Sequence, residues 1–179
     1  MKKLAIALVF LISLTVTYGF LPAVQLGLAS GDVDPLSGTA AAFTQSVVDD
    51  IIVDDVDAVF AGSWGYSTYS PGYYADGYRF HYPEGGSNTA TWTAALPVTG
   101  SWEVYAMWTE HDNRATDAPY MVYYNGGAIQ VRVNQQTNGG QWFSLGVYDF
   151  VAGSATVVLS DAANGVVIAD AIKFVHRLP

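Results

Sequence analysis

With 179 residues, 51% of them apolar, and no cysteine, the chain can bury one sizeable core but has no disulfide framework and no thiol nucleophile. Sixteen acids against seven Lys and Arg give a formal net charge of −9, which argues against a nucleic-acid partner because such binding draws on basic side chains at phosphates. Eighteen glycines and twelve tyrosines favour short strands and tight turns over helices.

Lys2 and Lys3 precede the apolar run Leu4 to Val16, and small residues at Thr17, Gly19, Gly27 and Ala29 suit a signal peptidase. Residues 1–29 are therefore expected to be a secretory signal peptide, with the protein extracellular or at the cell surface. An uncleaved anchor is the alternative, but Pro22 and Gln25 interrupt it and its core is short for a bilayer. Membrane contact is expected only through that segment. Without its two lysines, five basic residues face sixteen acids, a charge of −11. That describes a solvated acidic surface, or one that takes calcium or a neutral sugar. Residues 30–48 are small and polar without period and read as a linker or N-terminal arm, so the domain is expected to span 49–179.

The run "DDIIVDDVDA" opens the domain. Clustered carboxylates suit calcium, but the run lacks the glycine and distal glutamate of an EF-hand loop. Its acids alternate with apolar residues as on a charged strand edge. No cofactor is expected, with a structural calcium as the alternative. Next comes "SWGYSTYSPGYYADGYRFHY", which places Tyr66, Tyr69, Tyr73, Tyr74, Tyr78 and Tyr82, with Trp64 beside them, on a Gly- and Pro-rich segment. Exposed aromatic clusters mark contact surfaces, and flat rings suit sugar faces; the opposing reading has them cover one end of the fold. Trp142, Tyr105 and Tyr123 are further aromatic candidates that alternation would equally place between sheets.

Period-two alternation predicts strands at about 50–54, 57–61, 78–82, 88–94, 101–109, 120–125, 128–134, 142–149, 155–160 and 166–175. In "SWEVYAMWT", Trp102, Val104, Ala106 and Trp108 share one face. In "YMVYYNGGAIQVRVN", Asn125-Gly126 predicts a type I′ hairpin turn, beyond which Ile129, Val131 and Val133 point one way. Ten short strands and no amphipathic helix imply an all-β fold, a two-sheet antiparallel β-sandwich of jelly-roll type.

Polar residues punctuate these strands. "TEHD", at Thr109 to Asp112, offers an acid, a base and an orienting group, but neighbours on an extended chain point to opposite sides. Glu103 or Glu110 with Asp149 are the acids that a glycosidic mechanism would need, at a separation the sequence does not contain. Asn113, Arg114 and Asp117, with Asn134, read as groups that satisfy loop backbone. Asp161 and Asn164 in "SDAANG" read as an Asx-stabilised turn. Asp170 in "IADAIKF" falls on the core-facing parity of Ile168, Ile172 and Phe174, where a carboxylate needs a partner; Arg114 is the expected one. The three histidines are scattered without a zinc-ligand pair, and no G-x-S-x-G elbow is present.

"DAVFAGSW", "YSTYSPGYYADGYRFH", "TATWTAALPVTGSWEVYAMWTEHDNRATDAPY", "VNQQTNGGQWFSLGVYDFVAG" and "SDAANGVVIADAIKFV" occur in that order. Together they resemble the golvesin C-terminal domain, also called the xanthan-lyase C-terminal or Xly carbohydrate-binding-like domain, from about Ile51 to Val175. The resemblance implies a β-sandwich with an ancillary, carbohydrate-binding or surface-associated role, usually appended to secreted lyases, amidases and peptidases. Within these 179 residues no enzyme-sized segment is expected beside it. The expectation is a secreted, non-catalytic module for a polysaccharide or cell-wall glycan, with Tyr66, Tyr69, Tyr73, Tyr74, Tyr78 and Trp142 as ligand-binding candidates. The alternative is a surface protein that self-associates through its N-terminal arm.

Overall fold

The computed structural model describes residues 48–178. The expected signal peptide, and the arm except for Val48, lie outside these residues. Twelve strands run in chain order: β1 (Ile51–Val53), β2 (Val59–Ala61), β3 (Gly65–Ser67), β4 (Tyr78–His81), β5 (Thr89–Leu96), β6 (Gly100–Ala106), β7 (Ala118–Tyr124), β8 (Gly127–Val133), β9 (Phe143–Phe150), β10 (Gly153–Ser160), β11 (Val167–Ala169) and β12 (Ile172–Arg177). The helical content of the described residues is one 3-10 turn, Asp55–Asp57. No helix among them is long and apolar enough to cross a membrane.

Two larger antiparallel sheets, ordered β1-β12-β6-β9 and β2-β5-β10-β7-β8, form the sandwich, and a small third sheet, β11-β4-β3, is added to it. The all-β antiparallel architecture matches the sequence expectation. Alternation explains the core: β5 buries Ala90, Trp92, Ala94 and Leu96, and β6 buries Trp102, Val104 and Ala106. One rung of the five-stranded sheet runs Trp92, Val157, Val122, Ile129. Its first three members are fully buried, while Ile129 on edge strand β8 is 42% exposed. Burial fades where the sheet runs out of neighbours. Each buried tryptophan removes on the order of 150–250 Å² from water, so the four core positions Trp92, Trp102, Trp108 and Tyr120 carry much of the hydrophobic stabilisation.

Four local expectations are corrected. Strand β3, missed by the alternation, lies inside the aromatic segment, where its three residues Gly-Tyr-Ser leave no readable period. The predicted strand 166–175 breaks at Asp170-Ala171 into β11 and β12, which belong to different sheets. The β7–β8 turn sits at Asn125-Gly126, with Tyr124 opposite Gly127, but only Gly126 of the two central residues has a positive φ, 114°. A type I′ turn needs both; Asn125 instead donates its N–H to Asp149 of β9 (2.8 Å). Finally, the acid run is not a solvated strand edge throughout. Asp54 and Asp55 are buried in and beside the 3-10 turn, with Asp54 capping the Asp55 N–H (2.8 Å).

Candidate functional site

β3 and β4 form a hairpin whose connecting loop, 68–77, contains most of the aromatic segment. Alternation along and just past β4 places Tyr78, Phe80 and Tyr82 on one face, graded outward. Tyr78 is 2% exposed, Phe80 intermediate and Tyr82 64% exposed. With Tyr69, which is 87% exposed, they line a cavity of about 260 Å³ opposite Asn113 and Arg114. The volume corresponds to roughly nine waters at ~30 Å³ each, the scale of one sugar ring. Rim rings are accessible, Ser70 and Arg114 lie deep, and His111 and Asn113 are exposed.

Arg114 is the centre of those groups. It is 7% exposed, and its Nη2 donates to Ser70 Oγ (3.1 Å), Tyr78 Oη (3.2 Å) and Thr109 Oγ1 (3.4 Å). Nη1 donates to Asn113 Oδ1 (2.9 Å) and Nε to the Thr109 carbonyl (3.4 Å). Its guanidinium carbon lies 5.6 Å from the Tyr78 ring centre. Burial alone would raise the Tyr78 phenol, but hydrogen bonds with Ser67 and Ser70 and the Arg114 charge bring it down to about 8. The cavity floor is thus electropositive.

The other expected ligand residues lie elsewhere. Tyr66 donates its hydroxyl to the Asp76 carbonyl (2.6 Å) and lies under the Arg79 guanidinium, 5.3 Å away. Tyr73 packs against the core, 6.2 Å from Tyr78. Tyr74 and Trp142 meet each other (5.8 Å), and Lys173 Nζ sits 4.9 Å over Trp142 and 5.0 Å over Tyr105. An ammonium and a tyrosine already occupy faces that a sugar would need. Only Tyr69 and Tyr78 of the six expected ligand residues line the cavity.

The expected polar residues tie loops together. Asp117 Oδ1 accepts from the Asn164 N–H (2.8 Å), Asn164 Oδ1 from the Thr116 N–H (2.9 Å), and Arg132 donates to the Asp117 carbonyl (2.9 Å). Asn134 accepts from the Gln136 N–H (2.9 Å). Asp161, fully buried, serves a different loop from its own, accepting from Gly86 N–H and Asn88 Nδ2 (both 2.6 Å). Burial would raise its pKa, but these bonds hold its carboxyl below the usual range. Gly72 and Gly140 let loops 68–77 and 137–142 touch. A Cβ on Gly72 would lie 2.9 Å from Gly140 Cα, and both residues take positive φ, 91° and 71°.

Asp170 is core-facing as its parity implies, with no exposure, but its expected pairing with Arg114 is contradicted. The break after β11 turns its carboxyl to the 68–77 loop, where both oxygens accept from the Tyr74 N–H (3.1 and 3.3 Å). Arg114 is satisfied by neutral oxygens instead. Burial pushes Asp170 up to about 8, with Asp54 and Asp55 adding repulsion and Tyr74 only partly offsetting it. Asp55, raised by burial to about 6, pairs with Arg79 (3.2 Å).

No catalytic group assembles from the expected acids. Exposed His111 contacts Asp112 (2.7 Å), but Glu110 accepts from the Gly139 N–H (2.9 Å), so the three side chains of "TEHD" do not all come together. Glu103 is held by Ser144 and Arg177, and Asp149 by Ser101. Among the described residues, the group of three metal-type ligands is His81, Glu84 and Asp161, not the acid run. There the Asp161 oxygens already accept from Gly86 and Asn88.

The golvesin C-terminal domain model matches residues 51–176. The chain belongs to the golvesin C-terminal domain family. This golvesin-type domain is 35% identical over 161 residues to the xanthan lyase of Bacillus sp. (strain GL1), covering 84% of the chain and 16% of that enzyme. It superimposes on the Paenibacillus xanthan lyase structure with a TM-score of 0.68 and 38% identity, over 72% of this chain and 13% of the lyase. The chain therefore spans less than a fifth of these relatives. A family 35 carbohydrate-binding module from Clostridium thermocellum shares the fold, with a TM-score of 0.56 at 18% identity, over 73% of this chain and 100% of the module.

Within this golvesin-type domain, sequence reading did not single out Ser70, Phe80 and Gln135. Gln135 is fully buried, donating to Tyr120 Oη (3.0 Å) and the Ile168 carbonyl (2.9 Å) while accepting from the Ile168 N–H (2.8 Å). It continues the inward parity of Val131 and Val133, the signal that would have found it. Phe80 was equally legible from the alternation in "YRFHY". Ser70 was not, because its burial depends on a loop closing over Arg114.

Proposed function

We propose that the domain is a secreted, non-catalytic glycan-binding module whose site is the cavity between the β3–β4 hairpin and residues 111–114. The observation that carries this reading is one cavity holding exposed rings, Tyr69 and Tyr82, with buried hydrogen-bonding groups on Ser70 and Arg114 and an exposed amide on Asn113. Rings that stack on a pyranose face and fixed donors that meet its hydroxyls are the usual division of labour in small-molecule recognition. The xanthan lyase relatives and the carbohydrate-binding modules of the same fold support it, as does the engagement of Glu110 by Gly139, away from the His111–Asp112 contact.

The test is affinity electrophoresis of the purified protein through gels containing a broad panel of microbial polysaccharides. Retardation by at least one glycan is expected, lost in Tyr69→Ala and Tyr82→Ala and kept in Tyr74→Ala. No retardation by any member of the panel would overturn the reading.

A further inference from the structure

The charges around this cavity specify the class of glycan, an inference that rests on the glycan-binding reading. The described residues include five Arg and Lys side chains. Four of them sit against carboxylates: Arg79 with Asp55 (3.2 Å), Arg132 with Asp117 (3.4 Å), Lys173 with Asp50 (3.6 Å) and Arg177 with Glu103. Arg114, the most buried of these cations, has no carboxylate and bonds only neutral oxygens. A buried charge without a counter-ion is costly, so in a protein with sixteen acids its isolation calls for an explanation.

The cavity beside it points the same way. Its lining contains no Asp or Glu; the chargeable side chains other than tyrosine are Arg114 and His111, and His111 already has the exposed Asp112 carboxylate beside it (2.7 Å). The guanidinium carries five N–H donors, and Nη1 is engaged by Asn113 alone, which leaves its second N–H uncommitted. The Arg114 guanidinium, in a hollow whose lining holds no acid, favours an anion at that spot.

We propose that the pocket selects a sugar bearing a carboxylate, the acid meeting Arg114 and the sugar ring lying against Tyr69 or Tyr82. Uronic acids and pyruvate ketals both supply that chemistry. The neutral sugar suggested by overall charge is replaced by an acidic one, because the acid surface and the pocket differ in sign.

Binding of the purified protein is measured by biolayer interferometry in about 0.15 M salt, where repulsion from the acidic surface is screened beyond about 8 Å. The immobilised probes are a uronic-acid polysaccharide, the same polymer with its carboxyls reduced to alcohols, and a polysaccharide whose only carboxylates are pyruvate ketals. Binding to a carboxylated probe is expected to exceed that to the reduced polymer by about tenfold or more. Which carboxylated probe binds identifies the source. Arg114→Gln should erase the preference and Arg114→Lys keep part of it, with circular dichroism reporting the fold. If Arg114→Gln does not fold, the wild-type comparison still decides. Equal binding to native and reduced polymers, or a preference surviving in folded Arg114→Gln, would overturn this inference while leaving the glycan module intact. Binding to none of the probes or to any neutral glycan would overturn both.

Discussion

Arg114 lies on the floor of an open cavity with five hydrogen bonds to neutral oxygens, whereas Asp170 lies sealed in the interior with one backbone N–H. Both are buried ionisable groups, and neither has an opposite charge as partner. The cation keeps its charge because guanidinium does not deprotonate in proteins and its donors are met. The carboxyl, raised to about 8 by burial, holds a proton at neutral pH. A charge that cannot be given up is placed where a ligand can reach it, and one that can be neutralised is placed in the core.

The largest test of this contrast is Arg114→Ala. Five hydrogen bonds at about 1 kcal/mol each, with several oxygens left buried, predict a loss of about 4 kcal/mol in urea unfolding. A loss under about 1 kcal/mol would mean the guanidinium is not held as described. Arg114→Lys should lose less, since it keeps a charge but not the planar fork.

Asp170→Asn should act in the opposite direction. The folded carboxyl titrates near 8 against an ordinary value of 3.8, so between those values the folded state holds a proton that the unfolded state has released. Stability therefore falls as pH rises from about 4 to about 8, at up to about 1.4 kcal/mol per pH unit from this group. Asparagine removes that slope: the variant should match the parent near pH 4 and exceed it by several kcal/mol at pH 8. Parallel profiles for the two proteins would show that Asp170 is ionised in the fold.

The smallest stability effect belongs to Tyr69→Ala. Because the side chain is 87% exposed, unfolding free energy should change by less than about 0.5 kcal/mol while glycan retention falls about tenfold. Tyr74→Ala should invert this, loosening the Trp142 contact and leaving retention unchanged.

Both halves of the contrast were partly written in the chain. Alternation placed Asp170 inward with Ile168 and Ile172, and it placed Trp102, Val104 and Ala106 in the core. It could not name the Asp170 partner, because the break at Ala171 and the Tyr74 N–H come from segments 96 residues apart. The same limit applied to the aromatic segment. Composition marked it as a contact surface, but the β3–β4 register sets Tyr66 apart from Tyr78, and the Tyr74 N–H bond to Asp170 and the core packing of Tyr73 set those two apart from Tyr69. Strand β3 is three residues long, too short for a period to show, and the loop contacts are made by residues distant in sequence.

The most direct measurement is NMR of the Arg114 side-chain Nε–H while the protein is titrated with the glycan that retards it. The account predicts a shift of that resonance together with the Tyr69 and Tyr82 amides, and none at the Trp142 indole. Shifts confined to Trp142 and Lys173, with Arg114 unmoved, would place the binding surface on the other aromatic cluster and contradict it.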